Sequence, residues 1–217
     1  MKAMILAAGR GERMRPLTDV IPKPLLAVHG TPLLDRLITQ LVAAGLGDIV
    51  INVAHLGHRI REHLGSGAQL RAHIAYSEEG PASLETGGGI RRALPLLGDG
   101  PFLVVNGDIY TDFPFERLPK TLAGLAHLVL VDNPDHHPEG DFGLHEGRIV
   151  NTPPRLTFAG IGVYNAALFS DRTDERFPLA PLLRDTARRG LVTGERHDGL
   201  WTDVGTPERL AALNEAH

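Results

Sequence analysis

Short runs of apolar, largely β-branched residues recur along the chain, and the stretches between them carry helical spacing. The runs at Ala3–Ala7, Asp48–Val53, His73–Tyr76, Phe102–Asn106, His127–Val131 and Leu156–Tyr164 read as strands. Between the first two, Thr31 offers an N-cap and Pro32 a first helical position. Leu33, Leu34, Leu37, Leu41 and Val42 then recur at helical intervals until Gly45. Further helices are predicted over Gly57–Leu64, from Gly88 to about Leu97, over Leu179–Arg189 ahead of Gly190, and onward from Thr206-Pro207. Strands alternating with helices predict an α/β fold, an α/β/α sandwich around a mostly parallel sheet. The region Asn133–Pro154 is rich in Gly, Pro, Asp and His, and predicts loops with short strands. It divides the chain 1–217 loosely into a first half (1–112) and a second half (113–217) able to close over a ligand. One domain is expected, not two.

Composition narrows the class. The 42% apolar content is ample for a packed interior, and 217 residues suit one core. Aromatic residues make up only 5%, so that core is built from Leu, Val, Ile and Ala. A net charge of −4 without a run of like charges argues against a broad nucleic-acid footprint. The local cluster of Arg10, Arg13, Arg15 and Lys23 instead suits one small polyanion. There is no cysteine, which excludes disulfides and cysteine-ligated zinc. Neither a signal peptide nor a long apolar span is visible, so a soluble cytoplasmic protein without a membrane partner is expected.

Four segments carry candidate chemistry. "MILAAGRGERMRPLT" joins the end of the first strand to a glycine-rich turn, where open α/β sheets place ligands. Gly9 and Gly11 let backbone N–H groups approach phosphate oxygens. Position 14 is Met, so the third glycine of a dinucleotide fingerprint is missing, and no G-K-[ST] follows to make a P-loop. Lys23 lies between Pro22 and Pro24, which restrict its backbone. The segment is either a solvated basic loop or a cradle for a triphosphate or pyrophosphate. "FLVVNGDIY" ends a buried strand on Asn106-Gly107-Asp108, which is either a plain turn or a place for a hard-metal carboxylate. In "WTDVGTPERL", Asp203 either caps the following turn or supplies a second metal carboxylate. "LETGGGI" is either a flexible loop or a helix N-terminus presenting free N–H groups to an anion or a flat ring. The histidine pairs His55/His58 and His136-His137 lack H-E-x-x-H spacing, and no G-x-S-x-G is present.

In order, "LAAGRGERMRPLT", "PKP", "LETGGG", "NGD" and "WTDVGTPERL" resemble the successive landmarks of the sugar-1-phosphate nucleotidyltransferase family, spread across most of the chain. The resemblance implies a Rossmann-like, three-layer fold of the nucleotide-diphospho-sugar transferase type, with Mg²⁺ as cofactor. It places Ala7, Ala8, Gly9, Gly11, Glu12 and Arg13 on the base and triphosphate, and Lys23 on phosphate. Glu79, Gly80, Pro81 and Gly87 fall near the base, and Asn106 near nucleotide or sugar. Gly140, Asp141 and Asn151 line the sugar, and Asp108 and Asp203 hold Mg²⁺. Catalysis is assigned to Arg13, Lys23 and Asp108. "LETGGGI" with "LVLVDNPDHHPEGDFGL" most resembles members that transfer UMP from UTP to N-acetylmuramic acid 1-phosphate in cell-wall sugar recycling. The alternative is a uridylyl- or guanylyltransferase for another sugar 1-phosphate. "TPPRLTF" stands where many hexose-1-phosphate relatives carry E-K-P. The chain is expected to lack the β-helix acyltransferase of bifunctional relatives, and to be a monomer or small homo-oligomer. An NAD-type oxidoreductase is opposed by the missing glycine and by the lack of an acidic residue ending Asp48–Val53. A non-catalytic sensor is opposed by the presence of Arg13, Lys23, Asp108 and Asp203.

Overall fold

The computed structural model describes residues 1–80 and 84–215. In chain order the first elements are β1 (Ala3–Leu6), β2 (Ala27–Val28), β3 (Thr31–Pro32), α1 (Leu33–Ala43), β4 (Asp48–Val53), α2 (Gly57–Leu64), β5 (His73–Glu78) and α3 (Glu85–Leu97). There follow β6 (Phe102–Asn106), β7 (Ile109–Thr111), β8 (Ala126–Val131), β9 (Gly143–His145), β10 (Arg148–Val150) and β11 (Thr157–Tyr164). The last are α4 (Leu179–Arg188), β12 (Val192–Arg196), β13 (Trp201–Asp203) and α5 (Pro207–Glu215).

Nine strands form one sheet in the order β5-β4-β1-β6-β11-β8-β12-β10-β9. The strands β5, β4, β1 and β6 run parallel. β11 is antiparallel to both β6 and β8, β8 and β12 are parallel, and β10 and β9 close the edge antiparallel. The sheet is therefore mixed, with its first half wholly parallel.

Near-continuous apolar strands need cover on both faces, and side chains alternate between those faces. Ala3 and Ile5 of β1 pack in one cluster with Leu34, Leu37, Ile38 and Leu41 of α1 and Ile60 of α2. Met4 points to the other cluster, with Ile90, Ala93 and Leu97 of α3 and Leu182 and Leu183 of α4. This is the three-layer sandwich that the alternating pattern predicts.

Three local expectations need correction. Thr31 and Pro32 pair with Val28 and Ala27 in a short hairpin, so Pro32 caps α1 and Thr31 does not. α3 starts at Glu85, and Gly87, Gly88 and Gly89 lie inside it, not in a loop before it. The physical reason is packing, because all three are buried and a Cβ at Gly88 would overlap the Glu175 carbonyl oxygen. β12 was not predicted because "VTGER" buries only Val192 and Gly194 and carries no apolar run. Among the described residues no helix is long and apolar enough to cross a membrane.

Candidate active site

Chain connectivity reverses at β1, which has β4 on one side and β6 on the other, and open α/β sheets bind ligands at such a point. Leu6, Asn52 and Asn106 sit level with one another at the carboxyl ends of β1, β4 and β6. Above them opens a cavity of about 570 Å³ lined by Leu6 to Met14, Lys23, Pro24, Asn52, Glu79, Glu85, Thr86, Asn106, Asp108 and Gly205. That volume falls in the range of small-molecule sites.

The loop after β1 is held from both ends. Ala7 N donates to Asn52 Oδ1 at 2.7 Å. Gly11 has a φ of 63°, and a Cβ there would meet Thr18 Cγ2 at 2.9 Å, so the turn needs glycine. Thr18 Oγ1 donates to Gly11 O at 2.8 Å. Glu12–Met14 forms a short 3₁₀ turn, and Met14 is fully buried among Leu26, Val28, Leu33 and Val204. Met14, which breaks the dinucleotide fingerprint, thus ties the loop to the carboxyl-terminal part of the fold. Arg10 and Arg13 remain exposed at the cavity.

Lys23 follows buried Pro22 and precedes buried Pro24, and only 12% of its side chain is exposed. Its Nζ donates to Asp108 Oδ2 in a short ion pair. Asp108 is positioned by Gly107, whose N–H donates to Leu6 O at 2.9 Å, and a Cβ at Gly107 would lie only 2.7 Å from that oxygen. The Asn-Gly-Asp turn therefore packs directly onto the end of β1.

Asp203 reaches the same region through a two-stranded ribbon. β13 pairs antiparallel with β7, Asp203 lies opposite Ile109, and Val204 N donates to Asp108 O at 2.8 Å. Arg209 Nη1 donates to Asp203 Oδ1, and His136 Nε2 lies 2.9 Å from the same oxygen. Asp203 itself does not line the cavity, but Gly205, against which its Oδ2 lies, does.

The fold thus gathers Ala7, Ala8, Gly9, Gly11, Glu12, Arg13, Lys23, Glu79, Asn106 and Asp108 around one cavity. Gly80 and Gly87 lie outside its lining, Gly87 being buried against Phe177. Pro81 lies outside the described residues. The three sugar-side candidates are also outside it. Gly140 turns beside Arg155, Asp141 Oδ2 accepts from Phe158 N at 2.9 Å, and Asn151 Nδ2 donates to Arg184 O at 2.9 Å. Sequence reasoning missed Asn52 and Arg209. The signal for Asn52 was present, as a lone amide within the apolar strand "DIVINV".

The nucleotidyl transferase family profile matches residues 2–217. The chain belongs to this family. Among family relatives, it is 51% identical to an N-acetylmuramate alpha-1-phosphate uridylyltransferase from Neisseria meningitidis serogroup B, over 97% of this chain and 95% of that one. A protein of the same description from Caulobacter vibrioides is 35% identical, over 97% and 94%. The mannose-1-phosphate guanylyltransferase catalytic subunit beta of Danio rerio is 31% identical over 96% of this chain, which spans 62% of that protein. In fold, the chain matches a Bacillus anthracis structure described as a glucose-1-phosphate thymidylyltransferase, with a TM-score of 0.85 and 22% identity, over 100% and 96%. This nucleotidyltransferase is therefore an enzyme of the nucleotide-diphospho-sugar transferase fold.

Proposed function

We propose that the chain transfers UMP from UTP to N-acetylmuramic acid 1-phosphate, releasing pyrophosphate, and that it serves cell-wall sugar recycling in the cytoplasm. The observation that carries the substrate pair is the 51% identity to the Neisseria enzyme along 97% of the chain. The cavity supports the chemistry. A phosphate oxygen of the sugar 1-phosphate attacks the α-phosphorus of UTP in line, and the bond to the pyrophosphate oxygen breaks. The attacking oxygen is already anionic, so the protein supplies position and countercharge, with no nucleophile of its own. In this reading the Ala7–Arg13 loop cradles the triphosphate, with Arg13 and Lys23 countering charge on the α-phosphate and the leaving pyrophosphate.

Asp108 and Asp203 would hold Mg²⁺. Among the described residues Asp108 Oδ1 and Asp203 Oδ2 have no hydrogen-bond partner, and two hard carboxylate oxygens suit this cation. When bound, it neutralises phosphate oxygens during the transfer. The sugar side is assigned to Asn106 at the end of β6, and to Gly140, Asp141 and Asn151 on the second half of the chain.

A second reading is a guanylyltransferase acting on another sugar 1-phosphate, favoured by the 31% identity to the Danio rerio guanylyltransferase subunit. Pyrophosphate release from each nucleoside triphosphate, paired with a panel of sugar 1-phosphates, separates the two. UTP with N-acetylmuramic acid 1-phosphate is expected to give the highest kcat/KM. A higher value for GTP with a hexose 1-phosphate would establish the second reading instead.

A further inference from the structure

The transfer chemistry leaves one buried polar bridge unexplained, and it crosses the floor of the cavity. Asn52 is 3% exposed within β4, and Glu79 is 6% exposed just after β5. An amide inside a strand covered on both faces is costly unless its polar atoms are hydrogen-bonded. Both ends of this amide are used. Asn52 Oδ1 accepts from Ala7 N at 2.7 Å, and Asn52 Nδ2 donates to Glu79 Oε1 at 2.5 Å. The partners settle which way the amide points, since a backbone N–H only donates and a carboxylate only accepts. Glu79 Oε2 accepts from Leu84 N at 3.3 Å, and Gly89 gives the carboxylate room, because a Cβ there would overlap Glu79 Oε1. Ala7, Asn52 and Glu79 all line the cavity.

Resting on the reading of this cavity as the nucleoside triphosphate site, we propose that Asn52 is a positioning residue for base selection. It aims the Glu79 carboxylate at the base and holds the phosphate loop in register with it. A carboxylate facing a base offers only acceptors. Uracil carries a ring N–H at N3 and satisfies such an acceptor, whereas cytosine presents a lone pair at the same ring position. Glu79 held in place therefore favours UTP over CTP. The same amide fixes Ala7, so the base edge and the triphosphate are read in one geometry. Asn52 acts through its two hydrogen-bond partners, Glu79 and Ala7.

Two variants separate the halves of the bridge. Asn52→Ala removes both. Asn52→Asp keeps an acceptor for Ala7 N at nearly the same volume and replaces the donor to Glu79 by a like charge. Binding of UTP, CTP and inorganic tripolyphosphate to the full chain is measured by calorimetry, with KM for the sugar phosphate and the melting temperature recorded alongside. In Asn52→Asp the UTP-to-CTP affinity ratio is expected to fall about tenfold, with tripolyphosphate affinity held within about threefold. In Asn52→Ala both fall, while KM for the sugar phosphate stays within about twofold of wild type. A wild-type UTP-to-CTP ratio in Asn52→Asp overturns the inference. Parallel loss of every ligand together with melting temperature overturns it too, because that marks a purely structural residue. If wild-type protein binds neither UTP nor tripolyphosphate, the reading of the cavity itself fails, and that outcome is distinct from both.

Discussion

Lys23 and Asp108 neutralise each other across the cavity, and each is held by local backbone, Lys23 between two prolines and Asp108 on the Asn-Gly-Asp turn. In the proposed reaction both move to phosphate-linked partners, so their charges and not their volumes matter. Asp108→Asn keeps the volume and removes the charge. Turnover in a pyrophosphate-release assay is expected to fall by about 100-fold or more, because a preorganised charge at the reacting phosphates contributes on that scale. The circular dichroism spectrum should stay as in wild type, and turnover near wild type would remove Asp108 from the reaction. Much of this site was legible residue by residue. A glycine turn after a strand, a proline-flanked lysine and a carboxylate ending a buried strand are local patterns with local physical causes. Asn52 showed in the sequence only as a lone amide in an apolar strand, because its partner Glu79 reaches it through strand pairing, and Arg209 meets Asp203 only through the turn into α5.

At the scale of elements, the glycine run of α3 was the most misleading feature. Read as a helix N-terminus, it offered free N–H groups to an anion or a flat ring. In the fold, Gly88 N donates to Phe177 O at 3.2 Å, Phe177 N donates to Leu84 O at 3.2 Å, and Gly87 lies against the Phe177 ring. The run lets the first turns of α3 dock against the segment that leads into α4. Helix propensity disfavours glycine, so tertiary packing overrode the local preference here. Gly88→Ala places a methyl group against the Glu175 carbonyl oxygen, a backbone atom that cannot swing aside. The variant is expected to lose about 1–3 kcal/mol in urea denaturation, the usual cost of overpacking. An unchanged or raised midpoint would mean that the 175–177 segment yields freely. β12 escaped prediction because its neighbours in the sheet, β8 and β10, and not an apolar run of its own, supply the burial.

The whole molecule joins its two proposed metal carboxylates through different sheets. Asp108 follows β6 of the nine-stranded sheet, whereas Asp203 ends β13, which pairs only with β7. The class of the fold was legible from alternating strands and helices, but this pairing was not. It joins residues nearly a hundred positions apart, and no local pattern encodes such a contact. The ribbon has a thermodynamic consequence in the proposed site, because a ligand gripped from both places stabilises the whole chain against unfolding. At a UTP concentration 100 times its Kd, linkage adds about 2.7 kcal/mol, a rise of roughly 5–10 °C in the melting temperature for a domain of this size. MgCl₂ added with UTP should raise it further, and EDTA should reverse that increment. Asp203→Asn removes the charge of one of the two carboxylates at nearly unchanged volume. In thermal melts this variant is expected to keep the increment from UTP alone and to lose the part that Mg²⁺ adds. A full Mg²⁺ increment in Asp203→Asn would take Asp203 out of the metal site and leave its carboxylate as the anchor of Arg209.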